Sequence, residues 1–204
     1  MDFFVLGFIT GLSLILAIGA QNIFVIEQGL KKQYVFLVCT ICSLSDLILI
    51  FLGIFLFHFF HQYFNLFVEL TLNILLIIFL IYFIYSKIKS IKRNLSFDSD
   101  VKDISKLEIS LKTLGFTYLN AHVYSDTVFF LGNFSKNFLL DEKIYFGIGA
   151  SGASLIFFFL LGYLSTYFSK YAQSDKIWKL INLFIVGFMS LLTFYIIKET
   201  AYFL

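Results

Sequence analysis

Not one of the 204 residues is proline. Proline kinks a helix by removing a backbone donor and crowding the preceding turn, so no bend here can be owed to a proline ring. Charge is also scarce, since Asp, Glu, Lys and Arg make up only 14% of the chain. The two cysteines, Cys39 and Cys42, have C-x-x-C spacing but lie in an apolar run without a second pair, which argues against metal or redox use. No Ser, His and acid grouping suggests a nucleophile, so neither an enzyme nor a cofactor is expected. Polar sequence long enough for a soluble catalytic or nucleic-acid-binding domain is missing as well.

What the chain has is apolar length. It is 60% hydrophobic with a mean hydropathy of +0.91, too apolar for a soluble domain of this size. Spanning hydrocarbon takes about 20 mostly apolar residues. Six segments qualify, near Phe3 to Ile26, Gln33 to Phe57, Tyr63 to Ser86, Thr113 to Ser135, Ile144 to Ser169 and Leu180 to Ile197. The expected fold is an all-α polytopic bundle in the lipid bilayer, one transporter-like domain over 1–204. It divides into a three-helix half (1–86), a cytoplasmic loop (87–112) and a second three-helix half (113–204). Ala17-Ile18-Gly19-Ala20 faintly resembles a signal-peptide cleavage site. Met1-Asp2 supplies no basic leader region, however, and the apolar stretch is long, so the segment is kept as a helix. Twelve of the fifteen Lys and Arg residues fall on the connections after helices one, three and five, which places those on the cytoplasmic side and both termini outside. A re-entrant segment would change that parity. The Lys87 to Arg93 cluster reads as a topology anchor, with anionic headgroups as the alternative partner.

Three helices, a charged loop and three more helices suggest a 3+3 inverted repeat, because an odd number of spans reverses the second copy. Gln21 to Val25 lines up with Asp126 to Phe130, and Ser43 to Ile48 with Ser151 to Ile156. Thr10, Ser13, Ala17, Ala20 and Gln21 form a small or polar stripe on helix one, and Cys42, Asp46 and Gly53 form another on helix two; each suits close packing or a pathway wall. Gly7 and Gly11 form a GxxxG that fits either a homo-oligomer or packing within the chain. Gly147 to Gly152 satisfies GxGxxG, but no strand precedes it, so helix packing explains it better.

Chemistry concentrates in two carboxylates. Asp46 and Asp126 each sit inside an otherwise uncharged apolar run, where a carboxylate costs about 2.5 to 3.5 kcal/mol on insertion scales. Such groups can alternate between holding a proton and pairing with a cationic substrate; a structural hydrogen bond is the plainer reading. Gln21 and Asn22 bring two amides beside Gly19, a residue that weakens a helix and can free backbone groups for a ligand. Asn120, His122 and Tyr124 precede Asp126, and the spacing of four puts His122 and Asp126 on one helical face. They suit a proton relay better than a metal site, for which two ligands are too few.

These residues also carry a resemblance. Gly19-Ala20-Gln21-Asn22, then Glu27-Gln28-Gly29-Leu30-Lys31-Lys32-Gln33, then Ser45-Asp46-Leu47 closely resemble the opening of the LysE family of lysine and arginine exporters. Tyr118 to Thr127 looks like that family's fourth-helix motif, and Ile181-Asn182 also fits. The resemblance implies a bacterial inner-membrane exporter of basic amino acids driven by the proton gradient, with Asp46, Asp126, Gln21, Asn22 and Asn120 in functional positions. The family usually reads Gly-Pro-Gln-Asn and Asn-Pro, where this chain has Ala20 and Ala121. Losing those prolines is expected to leave helices one and four straighter, or to shift their hinges onto Gly19 and Gly115. Two alternatives stay open: the same fold exporting neutral amino acids or a metal cation, and a non-transporting membrane scaffold.

Overall fold

The computed structural model describes residues 2–16, 19–63, 66–92, 104–172 and 174–202. Asp2 caps α1 (Phe3–Ile15) by accepting the Phe4 N–H at 3.0 Å. After a break, α2 (Ala20–Lys31) leaves at 84° to α1. Helix α3 (Val35–Tyr63) bends at Leu56, whose φ of −114° and ψ of 15° are non-helical, and α4 (Leu66–Lys92) follows. Ser105 then opens α5 (Lys106–Tyr118), its hydroxyl accepting the Glu108 N–H at 3.1 Å in the Ser-x-x-Glu capping pattern. A second break leads into α6 (Ala121–Tyr124), a π-helix (Ser125–Phe130) and α7 (Leu131–Phe134). The chain finishes with α8 (Leu140–Ala172) and α9 (Asp175–Tyr202).

Among the described residues three helices are long and apolar enough to cross a membrane, within Val35–Phe57, Leu140–Ala172 and Asp175–Lys198. Counting the bent α1 and α2 as one span makes four, and α4 contributes a shorter apolar helix, Asn73–Tyr85. Length and composition thus mark three or four of the six expected spans among the described residues. The expected loop at 87–112 is narrower too, since α4 runs on to Lys92 and α5 starts at Lys106.

The expectation of straighter first and fourth helices fails at both places. Gly19 precedes α2 in an extended conformation (φ −115°, ψ −177°), and the second break falls at Leu119 and Asn120. Both alanines are the first residue of the helix after a break. Proline is tolerated at that position because its missing N–H has no intrahelical acceptor there. The extended Gly19 also suits a residue preceding proline. Ala20→Pro is thus expected to keep the fold and raise stability by about 0.5–1 kcal/mol, checked by thermal melting in detergent.

Packing interleaves the two halves of the chain. Helices α1 and α2 lie on α8, while α5, the π-helix and α7 lie on α3; α4 and α9 pack on each other. Small residues permit the closest approaches. A methyl added at Gly11 would lie 2.9 Å from the Ala150 Cα, and one at Gly53 would lie 2.6 Å from the Val128 Cα. The GxxxG of α1 is therefore used within the chain, against α8. Phe116 of α5 ties the bundle together, stacking on Phe24 of α2 at 4.7 Å and meeting Phe79 and Phe83 of α4 edge-on at 4.8 and 5.1 Å.

Helix α2 ends in a Schellman arrangement, with the Gln33 N–H on the Gln28 carbonyl and the Lys32 N–H on the Gly29 carbonyl, both at 3.0 Å. Lys32 takes the left-handed conformation there (φ 55°) that favours glycine. Lys32→Gly is expected to stabilise the protein by about 1 kcal/mol in the same melting assay.

Candidate functional site

Both helix breaks open onto one cavity of about 370 Å³. Its polar wall carries Gly19, Gln21 and Asn22 from the first break, Asn120, Asp126 and Thr127 from the second, Asp46 from α3 and Ser154 from α8. Leu14, Ile15, Leu76, Phe158, Leu192 and Ile196 supply an apolar wall. The space is thus bordered by α1, α2, α3, α4, α8, α9 and the segment after the second break.

Asp46 is buried and accepts a hydrogen bond from the Ser154 hydroxyl at 2.6 Å. Asp126 is near enough for its charge to bear on Asp46. Among the described lining residues none is Lys, Arg or His, so two carboxylates face a space with no fixed positive side chain. Such a site favours a cation or a proton as guest.

The breaks are braced alike. Asn22 donates its side-chain amide to the carbonyl of Ile15, the last residue of α1, at 3.2 Å. Tyr124 donates its hydroxyl to the carbonyl of Tyr118, the last residue of α5, at 3.0 Å. Each bond replaces part of what the interrupted ladder leaves unmet at a helix C-terminus.

Six of the nine residues singled out from the sequence border this cavity: Gly19, Gln21, Asn22, Asp46, Asn120 and Asp126. Tyr124 stands behind it as a brace. The His122 side chain lies outside the described residues. Gly115 is not at a break, because α5 runs unbroken through it and its carbonyl accepts the Leu119 N–H at 3.1 Å. Its glycine serves packing: a methyl there would meet the Phe79 ring at 3.0 Å. Sequence reasoning missed Ser154, although the match of Ser43 to Ile48 with Ser151 to Ile156 sets Ser154 opposite Asp46. It also missed the π-helix, which carries Asp126 and Thr127 into the wall; such widened turns recur at functional sites.

The model of the LysE type translocator family matches residues 12–200. The chain belongs to this family. It is similar to the arginine exporter protein ArgO of Salmonella paratyphi A, Salmonella enteritidis and Salmonella gallinarum, 30% identical to each over 200 residues, which cover 98% of this chain and 95% of each relative. No solved structure matches the chain significantly. Family membership and the apolar helices make this LysE-family chain a multi-pass protein of the inner membrane, in the class of amino-acid exporters.

Proposed function

We propose that this LysE-family chain exports a basic amino acid, arginine first and lysine second, by alternating access coupled to the proton gradient. The observation that carries the reading is the cavity at the two helix breaks, walled by Asp46 and Asp126 with no basic side chain among its described residues. The cargo's cationic end pairs with these carboxylates, and its aliphatic stem lies on the wall of Leu76, Leu192 and Ile196. Proton entry from outside then neutralises the carboxylates and resets the empty carrier. The names of the ArgO relatives favour arginine.

The same proposal includes six crossings arranged as a 3+3 inverted repeat. Reciprocal packing supports it: each broken segment lies on the first long helix of the opposite half, while α4 and α9 meet each other. So does the Asp46–Ser154 hydrogen bond, which joins residues that the internal match sets opposite one another. Gly19 serves as the hinge of the first half in this scheme, and Asn120 takes the role at the second break that Gly115 cannot.

The test is efflux of preloaded labelled arginine and lysine from cells expressing the chain, with and without a protonophore. Efflux above that of empty cells, stopped by the protonophore and inhibited by unlabelled arginine and lysine but not by threonine or leucine, is the expected result. Inhibition by leucine instead would move the cargo to neutral amino acids. No efflux at any loading would sink the export reading and leave a scaffold role.

A further inference from the structure

We propose that the N-terminus of α2 together with the Gln21 side-chain amide forms a subsite for the cargo's α-carboxylate, so that the carrier takes free amino acids and refuses the corresponding amines. This rests on the export reading and makes it chemically narrower. Helix α2 is twelve residues long and starts at the cavity wall, with Ala20, Gln21 and Asn22 all bordering the space. Its N-cap, Gly19, supplies no side-chain cap to this first turn. The first bond of its ladder runs from the Ile23 N–H to the Gly19 carbonyl at 3.2 Å, so the amides of residues 20–22 precede it. A helix N-terminus of this kind carries about half a positive charge and accepts anions.

An independent feature points the same way. Gln21 is only 6% exposed, and its Nε2 has no hydrogen-bond partner. The Cys42 thiol lies against this amide, but sulfur is a weak acceptor and falls short of what a buried NH2 group requires. Other side-chain donors at the wall are already committed: Ser154 to Asp46, Asn22 to the Ile15 carbonyl, and Thr127 to the Val123 carbonyl at 2.6 Å. Asn120 is engaged as well. A side-chain amide rotates readily about its last torsion, which lets Gln21 Nε2 turn toward an arriving anion.

The need for such a subsite follows from the electrostatics. An amino acid brings a carboxylate into a cavity that already holds Asp46 and Asp126, with no described Lys, Arg or His on the wall to receive it. Among the described residues, peptide amides, the α2 dipole and a neutral donor such as Gln21 are what remain to receive it. The cargo then lies with its carboxylate at the first break and its cationic end toward the aspartates.

Binding of matched acid and amine pairs to the purified full chain in detergent tests this, read as ligand-dependent shifts in melting temperature. The pairs are arginine with agmatine, lysine with cadaverine, and leucine with 3-methylbutylamine. The acid of at least one pair is expected to bind at least about tenfold more tightly than its amine, the usual range for a charge-assisted hydrogen bond. Gln21→Glu keeps the shape but adds a negative charge, and should cost the acid at least about tenfold while leaving the amine bound as well or better. Gln21→Leu, should the first variant not fold, should weaken the acid alone. Equal binding within every pair, or equal weakening of acid and amine by the variants, would overturn the subsite. Discrimination of leucine from its amine without arginine efflux would keep the subsite and remove the basic cargo. Arginine efflux with agmatine bound equally would do the reverse.

Discussion

Asp46→Asn will cut protonophore-sensitive arginine efflux at least about 100-fold while the protein reaches the membrane at the parental level. Asparagine has the shape of aspartate and can still accept the Ser154 hydroxyl, which lies 2.6 Å from the native carboxylate, so the α3 to α8 contact survives. What disappears is the charge. Stranding a buried cation without its partner costs about 3–5 kcal/mol, and the lower figure already corresponds to more than a hundredfold. Asp126→Asn should behave alike, since Asp126 lines the same cavity from the opposite break. Asp46→Glu keeps the charge but pushes it a methylene further into a closely walled space, and should retain partial efflux. Efflux at the parental rate in both Asn variants would end the carboxylate mechanism. If the chain were a scaffold, the same changes would alter its assembly or abundance with no flux to lose.

Composition and the isolated carboxylates made the membrane bundle and the core of the cavity legible in the sequence. A lone aspartate in an apolar run must be neutralised, bonded or put to use, and that constraint pointed to Asp46 and Asp126 before any geometry was known. Gln21 and Asn22 were visible for a similar reason, two amides beside a glycine. The helix breaks were less legible, because a hydropathy window averages over a sharp turn and reads α1 and α2 as one apolar run. The 84° between them lies across a break of a few residues, which composition alone does not record. Gly115 was misjudged because missing a Cβ serves two purposes: at Gly115 it admits the Phe79 ring inside a continuous helix. The start of α5 was readable as Ser105-x-x-Glu108, but the surrounding charge made it look like loop. The π-helix at Ser125–Phe130 has no compositional mark; it packs on α3, with Gly53 against Val128.

Glu27→Ala will be among the most destabilising single changes in the chain, about 3–5 kcal/mol, although Glu27 does not line the cavity. Glu27 and Lys31, one helical turn apart on α2, form an ion pair at 2.8 Å with side chains only 2% and 5% exposed. The Lys31 ammonium also lies 5.6 Å from the centre of the Trp178 ring, so the pair joins the end of α2 to the start of α9. Burial of both charges means that water cannot take over when one is lost, and the ammonium would lose the carboxylate that α2 holds 2.8 Å from it. Replacing both together, as Glu27→Leu with Lys31→Met, should recover most of the loss, because an apolar pair of similar size is often as stable as a buried ion pair. Trp178 is the only tryptophan in the sequence, so its fluorescence during thermal unfolding reports on this junction directly. A single variant that melts with the parent would mean that the ion pair adds nothing to the α2–α9 junction. A double variant no better than the single would place the cost in packing instead of stranded charge.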